Sequence, residues 1–310
     1  MKIAFIYGGQ GSQVEGMGQD LYIEYPFIKE YYDSIDLDFP LKKLSFEGGL
    51  DTISKTEYTQ PIMLAFQIAI TKILESYGLK PDIALGLSLG EYSALYAVEV
   101  LDEYELLEVI QYRSKEMSKA SKGLDSKMLA IFSDDVERID GLCKEISESH
   151  RFVAVSNINT KGQIVISGDG QLVSEVGGKL KDEGYKVMKL NTSGPFHTPY
   201  MDGVSKKLGE YFKDMEFRPP KVPIIYNLYG DFEEDADIKA IMARQVNNPV
   251  LFKQSLERLM DENLDLIIEI GYKNTIKGLI KRIDGKAKVL SVNTVQSIEE
   301  LIKGVGDIGR

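Results

Sequence analysis

The feature that most restricts the fold of this 310-residue chain is the pentapeptide Gly86–Gly90, with the sequence Gly-Leu-Ser-Leu-Gly. It lies between Asp82–Leu85, which predicts a short buried strand, and Leu89–Val98, which predicts a helix. The two glycines allow a sharp turn that presents Ser88 at the start of the helix. The positive end of that helix stabilises a negative charge that develops beside it. The sequence therefore predicts a serine nucleophile on a strand–turn–helix unit.

Strand-length apolar runs alternate with helical patterns along most of the chain, which indicates a mostly parallel sheet covered on both faces. Between residues 122 and 194 the predicted order becomes β-α-β-β-α-β, which is typical of a ferredoxin-like unit. We therefore predict an α/β protein with two domains. A large α/β-hydrolase-like domain comprises residues 1–121 and 195–310, and a ferredoxin-like small domain, residues 122–194, is inserted into it.

Charge and composition exclude several classes of protein. A formal net charge of −11 argues against general nucleic-acid binding, which needs a basic surface. The single cysteine, Cys143, cannot form an internal disulfide. The first apolar run, Ile3–Tyr7, is too short for a signal-peptide core, and no stretch approaches the ~18 apolar residues of a membrane span. The sequence predicts a cytoplasmic protein without a membrane or nucleic-acid partner.

A serine nucleophile needs a base, and the chain offers two histidines. His150 ends a polar helix, which is typical of an exposed surface residue. His197 precedes Thr198 and Pro199, a predicted N-cap and first helical residue. The positive end of a helix keeps such an imidazole neutral. His197 is therefore the candidate base for Ser88, and a histidine merely packed in a turn is the alternative.

The predicted first strand runs into a glycine-rich turn, Gly8–Gln13. No Gly-Lys-Ser/Thr follows, so the turn is not a P-loop, and Val14 stands where a dinucleotide fingerprint has its third glycine. A tight turn at the end of a strand can instead direct a backbone N–H at an oxyanion, and an oxyanion hole needs two donors. The amides of Leu89 and Gln10 are the candidates.

An arginine occurs on a predicted apolar helix face, because Leu106, Ile110, Arg113 and Met117 follow helical spacing. Arginine does not lose its proton in proteins, so Arg113 needs an anion. A nearby carboxylate of the chain is one possibility. A substrate carboxylate held by both arms of the guanidinium is the other, and the pattern leaves both open.

Taken in order, these motifs resemble the malonyl-CoA:acyl-carrier-protein transacylases of bacterial fatty-acid synthesis and the related acyltransferase domains of polyketide synthases. The resemblance covers essentially the whole chain. Besides Arg113 and His197, the matching segments are Gly9–Gln13, Tyr58–Pro61, Gly86–Glu91, Asn157–Gly168 and Gln245–Val250.

The resemblance implies a ping-pong transfer. Ser88 would take the malonyl group from malonyl-CoA with the help of His197, and would pass it to the phosphopantetheine thiol of acyl carrier protein. Arg113 would pair with the free carboxylate of the malonyl group.

The resemblance also implies what surrounds these groups. The backbone carbonyl of Gln245 would orient His197, and the amides of Gln10 and Leu89 would form the oxyanion hole. The coenzyme A thioester is then a substrate, no cofactor or metal is expected, and the chain is expected to be a monomer.

The chain departs from the family pattern at Leu87, where a histidine is usual, at Gly8 and Lys161, where prolines are common, and at Tyr272, which interrupts a Gly-Pro-Gly pattern. Phe196 resembles malonyl-selective members, in which a bulky ring crowds the α-carbon of the acyl group. It predicts discrimination against methylmalonyl-CoA.

Two other functions remain possible from the sequence. One is an acyl hydrolase or thioesterase on the same scaffold, although a hydrolase of simple acyl chains gains nothing from a cation in its pocket. The other is a non-catalytic docking module for a carrier protein. Because carrier proteins of this kind and this chain are both acidic, docking needs a local basic patch. Lys273, Lys277, Lys281 and Arg282 follow helical spacing, a pattern also typical of a solvated helix face.

Overall fold

The structure, a computed structural model, describes residues 1–190 and 194–308. The chain divides into two compact units: unit 1 comprises Met1–Ser114, Arg218–Ile225 and Glu262–Arg310, and unit 2 comprises Lys115–Phe217 and Tyr226–Asp261. The predicted domain boundaries, 1–121 with 195–310 and 122–194, stay a prediction. Residues 191–193 of the predicted small domain lie outside the described residues.

Unit 1 is built on a parallel sheet whose central strand is fully buried. Its strands are β1 (Ile3–Tyr7), β2 (Ile83–Gly86), β7 (Ile224–Ile225), β8 (Leu266–Ile270) and β9 (Val289–Val292). The strand order is β7-β2-β1-β8-β9, and each neighbouring pair is parallel. A strand covered on both faces is apolar at every position, as β1 is. The apolar pattern over Val222–Asn227 predicts a longer strand, but only Ile224–Ile225 form one.

In the part of the chain that the structure describes, nine helices or parts of helices belong to unit 1. They are α1 (Gln19–Glu24), α2 (Pro26–Ser34), α3 (Leu41–Glu47), α4 (Leu50–Ile53), α5 (Thr56–Ser76), α6 (Gly90–Ala97), the first two thirds of α7 (Glu103–Ser121), α13 (Thr275–Ile283) and α14 (Val295–Ile308). Of these, α6, α13 and α14 contact the sheet of unit 1. In residues 1–190 and 194–308, no helix is long and apolar enough to cross a membrane.

The apolar pattern over Pro61–Tyr77 predicts a helix that starts at Pro61, but helix α5 begins at Thr56 and carries Pro61 inside it. Proline has no N–H to donate to the carbonyl four residues earlier, which is that of Glu57. The Ser114 hydroxyl donates to that carbonyl instead, over 3.4 Å. A tertiary contact thus supplies the hydrogen bond that Pro61 cannot make.

Unit 2 contains a separate antiparallel sheet. Its first part runs β3 (Ser126–Phe132), α8 (Val136–Ile146), β4 (Val153–Thr160), β5 (Gln163–Asp169), α9 (Gly170–Asp182) and β6 (Lys186–Lys189), with strand order β4-β5-β3-β6. The order of these six elements is as predicted. Its later helices are α10 (Asp202–Phe212), α11 (Ile238–Arg244) and α12 (Phe252–Met260).

The core of this unit forms where α8 and α9 pack on the sheet, through buried Ile139, Leu142, Val173 and Val176. The predicted α/β class is confirmed, with one parallel and one antiparallel sheet.

Candidate active site

Ser88 stands on a sharp turn between β2 and α6, with a left-handed backbone at φ 53°. This conformation is uncommon for a residue other than glycine. The flanking glycines allow the turn by close approach: a Cβ on Gly86 would lie 1.9 Å from the carbonyl carbon of Gly90, and one on Gly90 would lie 2.2 Å from the Tyr7 oxygen. The sharp turn predicted from the pentapeptide is present, and Ser88 is half-buried at its tip.

Helix α6 begins immediately after this turn. The Gly90 N–H donates to the Leu87 carbonyl over 3.0 Å, and the Glu91 N–H donates to the Ser88 carbonyl over 3.1 Å. The first N–H groups of a helix have no acceptor within the helix and carry its positive end. The Leu89 amide lies at this end, directly after Ser88.

The turn that follows β1 is anchored to the neighbouring strand and helix. The Gly8 N–H donates to the Ile270 carbonyl over 3.1 Å, and the Gln67 side-chain amide donates to the Gly8 carbonyl over 2.7 Å. Gln67 is itself fully buried and accepts a hydrogen bond of 2.5 Å from the Ser93 hydroxyl on α6. The turn is therefore tied to the helix that follows Ser88.

Within this turn, the direction of the Gln10 N–H follows from its peptide group. The Ser12 hydroxyl donates to the Gly9 carbonyl over 3.1 Å. Because a trans peptide group is planar, the Gln10 N–H points away from the carbonyl that Ser12 holds. A Cβ on Gly9 would lie 2.7 Å from the Leu87 oxygen, so the turn passes directly beside the residue before Ser88.

Arg113 lies fully buried in the predicted apolar stripe of α7, at 0% exposure. One guanidinium nitrogen donates to Gln60 Oε1 over 2.6 Å, and a second lies 3.5 Å from Ser88 Oγ. The guanidinium carbon is 5.1 Å from the centre of the Tyr92 ring. Burial lowers the pKa of Arg113, while Tyr92 and the carboxylate of Glu91 raise it. A cation thus faces the serine oxygen.

Gln60 is a site residue to which sequence reasoning gave no role. It is 1% exposed, and it accepts from Arg113 while its own amide donates to Gln10 Oε1 over 3.4 Å. The Gln10 amide in turn donates to the Thr56 hydroxyl over 3.1 Å. A glutamine at an inward position of the apolar helix α5 was the sequence feature that could have revealed this network.

In unit 2, His197 also has a left-handed backbone, at φ 59°, and is 4% exposed. As predicted, Thr198 precedes a helical turn that begins with Pro199, although this turn is a short 3₁₀ helix, Pro199–Met201, leading into α10. The His197 N–H donates to the Val246 carbonyl over 2.9 Å.

The imidazole of His197 is oriented by a backbone carbonyl: its Nδ1 lies 2.9 Å from the Gln245 oxygen. A carbonyl oxygen can only accept, so Nδ1 carries the hydrogen and Nε2 keeps a lone pair. Gln245 is 2% exposed and begins a 3₁₀ helix that follows α11. The geometry gives unit 2 a histidine whose tautomer suits a base.

The remaining sequence candidates have simpler surroundings. His150 is exposed, as predicted, although the helix expected to end at it, α8, ends at Ile146. Phe196 is buried at 7% exposure. In residues 1–190 and 194–308, no group of three or more His, Cys, Asp or Glu side chains is placed to hold a metal ion. Within unit 1 the structure brings Ser88 and Arg113 together; within unit 2 it brings His197 and Gln245 together.

Comparison with known proteins agrees with the motif order. The chain matches the family described as acyl transferase domain over residues 4–308. It is 35% identical over 306 residues to the malonyl CoA-acyl carrier protein transacylase of Bacillus subtilis (strain 168), covering 97% of this chain and 96% of that protein.

Solved structures give the same result. The crystal structure of MCAT from Streptococcus pneumoniae matches this chain with a TM-score of 0.92 at 35% identity. The match covers 98% of this chain and 100% of that chain. A malonyl-transacylase in complex with its type II PKS acyl-carrier protein matches with a TM-score of 0.92 at 31% identity, covering 98% of this chain and 100% of that chain. With a family match that spans nearly its whole length, and with relatives that share more than 30% of its residues, this chain belongs to the acyl transferase family.

Proposed function

We propose that this chain transfers a malonyl group from malonyl-CoA to the phosphopantetheine thiol of acyl carrier protein, through a malonyl ester of Ser88. The observation that carries the proposal is the buried Arg113 guanidinium, which lies 3.5 Å from Ser88 Oγ. A buried cation beside a nucleophile favours an acyl group that ends in a carboxylate, because it forms charge-assisted hydrogen bonds with that end. The names of the relatives support the same substrate.

In the first half-reaction, Ser88 Oγ attacks the thioester carbonyl while His197 Nε2 takes the hydroxyl proton. The tetrahedral intermediate carries a negative oxygen, which the amides of Gln10 and Leu89 stabilise. The intermediate collapses as coenzyme A leaves with the proton from His197. In the second half-reaction, the carrier thiol gives its proton to His197 and attacks the ester, and Ser88 recovers a proton. The thioester is a substrate, and no cofactor takes part.

His197 is the proposed base because its Nδ1 is held by the Gln245 carbonyl. This contact fixes the ring and keeps the proton-accepting nitrogen available, as a carboxylate does in other serine enzymes. A carbonyl carries no full charge, so it stabilises the imidazolium less than a carboxylate would. A backbone carbonyl rather than a carboxylate is also the partner of the histidine that the resemblance implies.

We also propose two finer features of the fold, a ferredoxin-like small domain and a hydrolase-like large domain. The order β-α-β-β-α-β with sheet order β4-β5-β3-β6 supports a ferredoxin-like small domain in unit 2. The strand–turn–helix that carries Ser88 in a parallel sheet supports a hydrolase-like large domain. A cytoplasmic location and a monomeric state remain predictions.

We place the carrier-protein docking surface on α13. The inner face of this helix is buried through Ile276, Leu279 and Ile280, and its other face is basic. Residues 273–288 contain six lysines and arginines and one carboxylate, in a chain whose net charge is −11. Such a local reversal of charge attracts an acidic partner. The complex of a similar transacylase with its carrier protein supports a partner of this class.

Phe196 supports selectivity for the unbranched malonyl group. The Phe196 ring is buried and directly precedes His197 in the chain, and the resemblance implies that a bulky ring at this position crowds an extra methyl on the α-carbon. One methyl group changes discrimination by roughly tenfold to a few hundredfold. Equal kcat/KM for malonyl-CoA and methylmalonyl-CoA would contradict this assignment.

The deciding experiment exposes the protein to malonyl-CoA without an acceptor and follows both coenzyme A release and intact mass. A transferase releases about one equivalent of coenzyme A in a burst and gains the mass of one malonyl group. Ser88→Ala loses both, and Ser76→Ala, an exposed serine, keeps both. Continuous coenzyme A release would instead indicate the hydrolase, and no adduct with the wild type would indicate the docking module.

A further inference from the structure

The loop between β8 and α13 contains two consecutive residues with left-handed backbone, Lys273 at φ 69° and Asn274 at φ 51°. Asparagine tolerates this conformation, but a lysine there is strained. Lys273 is exposed, so burial of its side chain does not explain the strain. Its ammonium group donates a hydrogen bond of 2.9 Å to the Gly11 carbonyl, in the turn that follows β1.

The base of this loop is fixed by a buried carboxylate. Glu269 is 1% exposed and accepts hydrogen bonds from the N–H of Ile276 over 2.8 Å and from the hydroxyl of Ser291 over 2.6 Å. Burial raises the pKa of Glu269, and these hydrogen bonds lower it. The Asn293 side chain also donates to the Gly271 carbonyl, over 3.2 Å. The direction in which Lys273 leaves the loop is therefore set by the sheet beneath it.

Lys273 completes a set of side chains that hold the peptide groups around Gln10. The Gly9 carbonyl is held by Ser12, and the Gly11 N–H donates to Gln13 Oε1 over 2.8 Å. Ser12 and Gln13 belong to the turn itself, whereas Lys273 reaches the Gly11 carbonyl from 262 residues further along the chain. Gly11 has φ 108°, a region that glycine leaves easily, so an external restraint on its carbonyl limits the motion of the turn.

We propose that Lys273 is a positioning residue: by holding the Gly11 carbonyl, it restrains the turn in which the Gln10 N–H, two peptide groups earlier, is directed at the oxyanion formed on the acyl group of Ser88. The inference rests on the proposed function. An oxyanion donor acts when the charge develops, so its loss lowers the rate of the chemical step and leaves substrate binding unchanged. An arginine at position 273 can also donate a hydrogen bond to the Gly11 carbonyl, whereas the side chains of methionine and glycine cannot.

The test measures the single-turnover release of coenzyme A from malonyl-CoA without a carrier protein, which separates positioning from docking. Lys273→Met lowers the maximal rate by about threefold to tenfold, with the half-saturating concentration unchanged. Lys273→Arg keeps the rate within about twofold of the wild type, because its guanidinium can reach the same carbonyl. Lys303→Met, at an exposed lysine on α14, serves as the control with an unchanged rate.

A fourth variant guards against a general effect on folding. Lys273→Gly relieves the left-handed strain, so its melting temperature equals or exceeds that of the wild type while its rate falls as in Lys273→Met. A wild-type rate in both variants, an equal loss in Lys273→Arg, or a change confined to the half-saturating concentration overturns the inference. If the wild type releases no coenzyme A, the proposed function itself fails, and this inference fails with it.

Discussion

The turn at Ser88 and the segment at His197 have the same unusual backbone but are held in different ways. Ser88 has φ 53° and His197 has φ 59°. The serine turn is held by close packing, in which Gly86 and Gly90 let the backbone pass within a distance that no side chain allows. The histidine segment is held by two hydrogen bonds of 2.9 Å, from the His197 backbone and ring to the carbonyls of Val246 and Gln245.

This difference determines what each region tolerates. A packed turn depends on the identity of its glycines, because any added atom collides with the backbone. The histidine segment depends on where the backbone carbonyls of Gln245 and Val246 lie. It does not depend on the side chains of these two residues, provided the fold is kept. Left-handed backbone at a residue other than glycine costs of order 1–3 kcal/mol, and each region offsets that cost in its own way.

The largest effect is expected from removing the base. His197→Ala should lower malonyl transfer by about 10²- to 10⁴-fold, because Ser88 then lacks a proton acceptor. The rate of coenzyme A release in the first turnover measures it. His150→Ala is the matched control, since that histidine is exposed and should leave the rate unchanged. Similar losses in both variants would show that His197 is not the base.

A large effect on folding is expected from the serine turn. Gly90→Ala places a Cβ 2.2 Å from the Tyr7 oxygen and should destabilise the protein by about 3 kcal/mol or more. Gly178→Ala on α9 meets no atom within 4 Å and should stabilise by up to about 1 kcal/mol. Denaturant unfolding compares the two. If Gly90→Ala leaves the free energy of unfolding unchanged, close packing does not hold the turn.

The cation beside Ser88 is expected to affect selectivity. Arg113→Met should lower kcat/KM for malonyl-CoA by about 10- to 100-fold, because a charge-assisted hydrogen bond to the substrate carboxylate is lost. Acetyl-CoA, which has no such carboxylate, should lose far less. Arg113→Lys keeps the charge without the planar fork and should recover part of the selectivity. Equal losses for both thioesters would assign Arg113 to the fold alone.

A smaller effect is expected at the basic face of α13. The double variant Lys277→Glu and Lys281→Glu should raise the KM for carrier protein by about threefold to tenfold at low salt, and salt should reduce the difference. The first-turnover rate with malonyl-CoA alone should not change. An unchanged KM for the carrier protein would dismiss this docking surface.

The smallest effect is expected from changing Gln245, whose backbone carbonyl accepts the hydrogen bond from His197. Gln245→Met retains the backbone carbonyl and a side chain of similar size, so transfer should stay within about threefold of the wild type. Steady-state kcat/KM measures it. A loss as large as that in His197→Ala would show that the Gln245 side chain, and not its carbonyl, orients the ring.

The same contrast explains how much the sequence could reveal. The serine turn was predictable, because flanking glycines between a strand and a helix have a local cause that is visible in the residue types. So was the strand β1, which is apolar throughout because both of its faces are covered. The stripe that buries Arg113 was likewise visible in its spacing.

Other features of the structure leave no recognisable pattern in the neighbouring sequence. Every residue has a carbonyl, so no pattern in the sequence points to Gln245 as the partner of His197, and only the resemblance suggested it. The start of α5 was wrong because Pro61 was taken as a first-turn residue, whereas a hydroxyl from α7 satisfies the carbonyl that proline leaves. The short helices α1 to α4 were missed, since each is too brief to show a helical period.

The position of β1 in its sheet affects how the chain can be made. Its two neighbours are β2, about 80 residues downstream, and β8, which ends at Ile270. A ribosome therefore releases β1 before either partner and β8 long after β2, so one edge of β1 has no native partner while the residues up to β8 are made. At roughly 5–20 residues per second, that interval lasts on the order of ten seconds or more. During that interval the unpaired edge of β1 can pair with another strand, so the strand order exposes the nascent chain to aggregation.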